Sequence, residues 1–196
     1  MDITIGVLSL QGAFREHVRA VEALGARALT VKTPDQLASI DGLIIPGGES
    51  TAIRKLMDAY GFIEPLKSFA EEKPVFGTCA GLIMLAARIQ NSDHVHLGLI
   101  DMTVERNAFG RQRESFEETL HIEGVADAFE AVFIRAPSIV SVGSEVNVLA
   151  RLGERIVAVQ QKHWLATAFH PELTGDHRMT EHFLKLVQQS KAALSA

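Results

Sequence analysis

The sequence predicts an α/β domain: a mostly parallel central sheet covered by helices, with an antiparallel section toward the C-terminus. Three observations predict it. Strand-like and helical patterns alternate from Ile3 to Asn91, as a parallel sheet with crossover helices requires. A strand, a sharp turn and a helix succeed one another around the only cysteine, Cys79. Beyond Asn91, short strand-like runs follow at close spacing, the texture of antiparallel pairing. With 196 residues, 47% of them hydrophobic and 22% charged, the chain fits one domain over 1–196 with a sizeable core.

The elements read in order. Ile3–Leu8 is an apolar, β-branched run suited to a buried first strand, broken at Gln11-Gly12. Phe14, Val18, Val21 and Leu24 recur at helical spacing, and Gly25 ends that helix. Arg27–Lys32 reads as a second strand, and Pro34-Asp35 opens a short helical turn through Leu37. Gly42–Ile45 is a third buried strand, stopped by Pro46-Gly47-Gly48. Ser50 or Thr51 suits the cap of a helix carrying Ile53, Leu56 and Met57 on one side, and Phe62–Ala70 is another helix. Val75-Phe76 then leads into the cysteine turn and a run of helix formers through Arg88. Gly98–Glu105 is a strand and Arg106–Ser115 a polar loop. Thr119–Glu123 and Glu130–Ile134 alternate as half-buried strands do. Pro137–Gly143 reads as a connection. Val146–Arg151, Arg155–Gln160 and Trp164–Phe169 are three further strands, and Thr174–Ser190 closes the chain as a helix with Met179, Phe183, Leu184 and Val187 inward.

Composition narrows the function classes. A net charge of −5 without a cationic cluster gives no electrostatic reason to expect nucleic acid or a membrane surface. No apolar run approaches a spanning length, and Met1–Gly6 carries no basic leader. One cysteine excludes an internal disulfide, which fits a reducing, cytoplasmic setting.

Three groups carry chemistry. Gly77-Thr78-Cys79-Ala80-Gly81 has the shape of a G-x-S-x-G nucleophile elbow with cysteine in place of serine. Its glycines permit a tight backbone, and the Ala80 amide faces the charge that develops on an attacked carbonyl. The same pentapeptide also suits a small buried cysteine. Phe169-His170-Pro171-Glu172 sits at a strand end, where alternation places His170 and Glu172 on one side. A carboxylate beside a histidine fixes its tautomer and stabilises the imidazolium, so Cys79, His170 and Glu172 make a nucleophile, its base and an orienting group. A strand-end histidine beside a solvated glutamate is the alternative. Pro46–Thr51 is a third strand end, where the Gly48 and Ala80 amides together would form an oxyanion hole; an ordinary glycine turn with a helix cap reads the same way. His94 and His96 are spaced as metal ligands on a strand can be, yet no further ligand cluster lies near them, which favours a solvated loop and no metal site. No glycine-rich phosphate motif occurs, and no cofactor is expected. For His17, His121, His163 and His177 the sequence names no partner.

Taken together these groups resemble the class I, triad-type glutamine amidotransferases. Val7–Gly12, Pro46–Thr51, Phe76–Gly81, Val104–Gln112, Phe133–Pro137 and Phe169–Leu173 resemble, in order and over almost the whole chain, the glutaminase subunits of pyridoxal 5′-phosphate synthases. The resemblance implies a flavodoxin-like, three-layer sandwich. It implies hydrolysis of L-glutamine to L-glutamate and ammonia by Cys79, His170 and Glu172 through a thioester. It maps Gly47, Gly48, Glu49 and Ser50 onto a glutamine-binding loop, and Arg106, Ile134 and Arg135 onto further glutamine contacts. A guanidinium suits the substrate carboxylate. The implied partner is a TIM-barrel synthase subunit that uses the ammonia for vitamin B6 synthesis, with the glutaminase weak alone and active when docked. Two other readings stand beside it. Cysteine hydrolases and stress proteins with a similar turn carry histidine directly after the cysteine, where this chain has Ala80. A non-catalytic partner that only binds glutamine would not need a thiol.

Overall fold

A computed structural model describes residues 1–196, the side chain of Gln112 excepted. The first half builds the expected alternation: β1 (Thr4–Leu8), α1 (Phe14–Ala23), β2 (Arg27–Val31), a 3-10 turn (Pro34–Ser39), β3 (Gly42–Ile45), α2 (Ser50–Ala59), α3 (Ile63–Glu72), β4 (Val75–Thr78) and α4 (Ala80–Leu85). The second half is mostly extended: β5 (Ala86–Ile89), β6 (Ile100–Glu105), β7 (Ser115–Ile122), β8 (Ala126–Ile134), β9 (Ser138–Val142), β10 (Asn147–Leu152), β11 (Arg155–Gln161) and β12 (Trp164–Thr167), closed by α5 (Arg178–Leu194).

Ten strands share one sheet, in the order β2-β1-β3-β4-β12-β11-β9-β6-β5 with β10 paired to β11. β1, β2, β3, β4 and β12 run parallel. β11 turns the sheet antiparallel, pairing with β12, β10 and β9, and β9 pairs antiparallel with β6. β12 is therefore the joint: it arrives from an antiparallel hairpin yet lies parallel to β4. The carboxyl ends of β1, β3, β4 and β12 consequently meet on one edge, the place where open α/β sheets gather ligands. The strands at the centre of this block are mostly apolar because both faces are covered; β3 and β4 are buried at every residue. Helix α1 packs with α5, and α2 with α4. Phe183 of α5 meets Phe76 of β4 at 5.5 Å between ring centres. β7 and β8 form a separate two-stranded ribbon. Phe129 and Phe133 of that ribbon pack on Phe169, each at 5.7 Å, and so tie it to the chain beyond β12.

The structure corrects three boundaries. The elbow helix stops at Leu85, and Ala86–Ile89, expected to be helical, is a strand. Its composition favours a helix, but parallel pairing with β6 and the bonds from Leu97 and Leu99 N–H to the Met84 and Leu85 carbonyls override that preference. Ser138–Val142, expected within a connection, is β9, a central strand between β11 and β6. The last helix begins at Arg178 instead of Thr174, because Thr174 and Asp176 use their side chains on nearby backbone: Oγ1 of Thr174 accepts from the Asp176 N–H at 3.3 Å, and the Asp176 carboxylate accepts from the Arg178 N–H at 3.1 Å.

Candidate active site

Cys79 leaves β4 with φ 51° and ψ −106°, a conformation that side chains rarely adopt and that costs about 1–3 kcal/mol. The neighbouring backbone holds it there. Its N–H donates to the Thr167 carbonyl of β12 at 2.8 Å, and its carbonyl accepts from Leu82 N–H at 3.1 Å to start α4. Gly81 lets α4 sit against β3, since a Cβ there would strike the Ile45 carbonyl oxygen. The thiol is buried, at 7% exposure for the residue, with Sγ 3.8 Å from the Ile134 carbonyl.

His170 stands beside it. The imidazole and the Cys79 side chain face one another beside Gly47, and Nδ1 of the ring lies 2.6 Å from Glu172 Oε1. That leaves Nε2 for the sulfur. The expectation that alternation along a strand brings His170 and Glu172 together is corrected: Pro171–Leu173 is a 3-10 turn, closed by Leu173 N–H donating to the His170 carbonyl at 3.3 Å. His170 itself is extended, and the turn after it folds the Glu172 carboxylate back under the ring. Burial alone would pull the His170 ring down, but the hydrogen bonds to Cys79 and Glu172 and the charge of Glu172 outweigh it and push the ring up to about 10. Burial would raise the Glu172 carboxyl, yet His17 beside it and the bond to His170 hold it below the usual carboxylate range.

The loop after β3 closes the other side. A Cβ on Gly47 would run into Cε1 of His170 and lie 3.3 Å from Cβ of Cys79, so only glycine leaves both side chains their places. The Gly47 carbonyl accepts from the Ala13 N–H at 3.3 Å. The Gly47–Gly48 peptide is trans, so the Gly48 N–H points away from that contact. The helix that follows is capped by Glu49, correcting the expectation of Ser50 or Thr51: its carboxylate accepts from the Thr51 and Ala52 N–H groups at 3.0 and 2.8 Å. Burial is the largest single influence and opposes its charge, but the Thr51 and Ala52 donors together, with Arg106 nearby, outweigh it and hold Glu49 below its ordinary value. Gln11 Oε1 accepts from the Glu49 N–H at 2.9 Å and steadies the same loop.

These parts line one cavity of about 390 Å³, large enough for a small amino acid. Gly47, Gly48, Glu49, Ser50, Cys79, Ala80, Arg106, Ile134, Arg135 and His170 all reach it. Glu172 is the one expected residue that does not, lying behind His170. Arg106 and Arg135 are exposed on its wall and make no ion pair among the described residues. Gln11, Ala13, Ile83, Asn107 and Pro137 also line it, though the sequence singled out none of them individually. Of the non-glycine residues with positive φ, Cys79, Asn107 and Arg135 all stand on this wall, a concentration of backbone strain typical of working sites. Ala108 N–H donates to the Ala136 carbonyl at 3.1 Å and joins the two arginine-bearing loops.

Outside the cavity, the histidine pair divides. His94 is exposed, but His96, expected in a solvated loop, is buried at 6% exposure. Burial first, then Arg54 and Arg106, lower its ring to about 4. No cluster of three metal-ligating side chains occurs among the described residues. No helix among them is long and apolar enough to cross a membrane.

The turn at Cys79, the His170 ring and the glycine loop converge on this cavity. The family model for SNO glutamine amidotransferases matches residues 7–189. The chain belongs to this family. This glutamine amidotransferase is 65% identical over 190 residues to the pyridoxal 5′-phosphate synthase subunit PdxT of Anoxybacillus flavithermus, covering 96% of this chain and 99% of that one. It is 62% identical to PdxT of Geobacillus kaustophilus, over 97% and 98% of the two chains. A crystal structure described as a glutamine amidotransferase superposes with a TM-score of 0.90 at 49% identity, covering 94% of this amidotransferase and 98% of the other chain.

Proposed function

We propose that this glutamine amidotransferase is the glutaminase subunit of a pyridoxal 5′-phosphate synthase. Its substrates are L-glutamine and water, and its ammonia passes to a TIM-barrel synthase subunit for vitamin B6 synthesis in the cytoplasm. The observation that carries the reading is the line Cys79–His170–Glu172, with a buried carboxylate 2.6 Å from the imidazole and the thiol on its far side. The near-full-length likeness to PdxT subunits supports the choice of partner.

Glutamine enters with its side-chain amide toward Cys79. Arg106 and Arg135, which form no ion pair among the described residues and line the cavity, take its α-carboxylate. His170, its ring pushed up, already holds the proton taken from sulfur when sulfur bonds to the amide carbon. The oxygen that becomes negative is met by the N–H groups of Ala80, first residue of α4, and Gly48. The C–N bond breaks, His170 returns the proton to the leaving nitrogen, and ammonia departs from a thioester. Water, deprotonated by His170, attacks that thioester; the C–S bond breaks, glutamate leaves, and the proton from water stays with the His170–Cys79 pair, which is thereby restored. Glu172 keeps Nδ1 protonated and aimed, and stabilises the imidazolium formed in both halves. Glu49 anchors the glycine loop by its cap, and Ser50 completes the wall. Docking of the synthase subunit turns the Gly47–Gly48 peptide to its working orientation, a movement that requires the Gly47 carbonyl to leave Ala13.

Ammonia release, measured with and without the synthase subunit, tests this. Wild type should turn over glutamine far faster in the complex, Cys79→Ala should not turn it over at all, and a reactive glutamine analogue should label Cys79 alone. An alanine variant with full activity, or a free subunit as fast as the complex, would overturn the reading.

A further inference from the structure

His17 lies on α1, outside every motif that the activity uses, and it is wholly buried. Nothing in its sequence context asks for an imidazole: Phe14, Val18 and Val21 of the same helix are aliphatic or aromatic and pack in the core. A buried histidine among them is an expense unless its nitrogens are used. One of them is. Nε2 lies 3.4 Å from Glu172 Oε2 and 3.2 Å from Thr78 Oγ1, while Nδ1 has no partner among the described residues. Glu172 has one oxygen committed to His170 at 2.6 Å, and its other, Oε2, is buried without a hydrogen-bond partner among the described residues and faces this ring at 3.4 Å.

We infer that His17 is a positioning residue for the catalytic carboxylate, a neutral Nε2–H donor that aims Oε2 of Glu172 and links it to Thr78, the residue before the nucleophile. This rests on the triad reading given above. The tautomer follows from the acceptor: an ionised carboxylate oxygen only accepts, so the ring must bring its proton on Nε2. The Thr78 hydroxyl then sits within reach of the same N–H, and α1 itself packs on the Pro171–Leu173 turn that carries Glu172. The charge state follows from the site. Burial lowers His17 below 6.5; Glu172 and Glu16 oppose this and the nearby His170 reinforces it. A neutral donor suits the task, because a second cation would compete with the His170 imidazolium for the same carboxylate. A dipole aims Glu172 and leaves its charge for His170.

The test is a set of replacements assayed for ammonia release in the complex with the synthase subunit. His17→Gln places an amide N–H near the former Nε2; His17→Asn reaches only as far as Nδ1; His17→Leu keeps the volume and removes the donor. Leaving a buried carboxylate oxygen without the one donor that faces it predicts a fall in kcat of about 10- to 100-fold for His17→Leu and His17→Asn, with KM within about threefold. His17→Gln should recover most of kcat. Equal losses in Gln and Asn, or an unimpaired Leu variant, would show that the ring only fills space. Should Leu fail to fold, the Gln and Asn comparison still decides. Cys79→Ala in the same assay separates the two readings: an active alanine variant refutes the triad, whereas an inactive one beside an unimpaired His17→Leu refutes only the role of His17.

Discussion

Replacing Glu172 by glutamine perturbs the proposed chemistry with the least change of shape. The Glu172 side chain is fully buried and meets His170 Nδ1 at 2.6 Å. An amide in the same place can still accept from Nδ1–H through its oxygen, but it carries no charge to balance an imidazolium. Breaking a buried charged pair costs about 3–5 kcal/mol. Here the loss falls on the imidazolium that protonates the leaving nitrogen and that forms again when water is deprotonated. At about 1.4 kcal/mol per tenfold, kcat should drop about 10²- to 10⁴-fold. Glutamine binding uses the arginines and the glycine loop, so KM should stay within about threefold. Varying glutamine in the ammonia assay with the synthase subunit present gives both parameters. A rise in KM that matched the loss in kcat/KM, or a kcat within threefold of wild type, would refute the assignment of Glu172 as the group that steers the base.

Other consequences can be measured alongside it. Gly47→Ala places a methyl where Cε1 of His170 lies; the ring must move, and a displacement of about 1 Å costs on the order of 100-fold in kcat. Arg106→Ala and Arg135→Ala should each raise KM about 10- to 100-fold, as loss of a bond to a carboxylate predicts, with kcat less affected. The pH dependence of stability carries the signature of His170. Its folded value is raised to about 10, so its contribution is complete below 6.5 and is lost as pH rises through about 10. Urea midpoints of wild type should therefore fall across that window more steeply than those of Cys79→Ala, which lacks one of the bonds that raises the ring. Phe183→Ala removes a fully buried ring packed on Phe76 and should cost about 3–5 kcal/mol, seen as a lower Tm.

Much of this site could be read before the fold was known, and for a physical reason. Cys79, Gly47, Gly48 and His170 all sit where a short apolar strand ends, and a parallel sheet brings such ends to one edge. What escaped was anything fixed by contacts distant in sequence. β9 looked like a connection because its partners, β6 and β11, lie elsewhere in the chain. Ala86–Ile89 has helical composition, and only β6 makes it a strand. Glu49 was expected near the substrate, while the structure also gives its carboxylate to the α2 amides, a competition between two acceptor roles that spacing alone does not rank. His17 had no legible partner because 155 positions separate it from Glu172, the difference of their residue numbers. Its only sequence signal was a titratable ring at a core position of an amphipathic helix, which marks a question without naming the answer.

The Cys79 sulfur is located by main chain, through the Thr167 contact and the first turn of α4. Swapping that atom for oxygen or hydrogen should leave the surrounding frame standing. A disarmed subunit would then make a decoy, one that holds uncleaved glutamine and occupies its seat on the assembly without feeding it. Mixed with intact subunits, such decoys would starve individual synthase centres of ammonia in proportion to their share, and so reveal whether each centre depends on its own supplier.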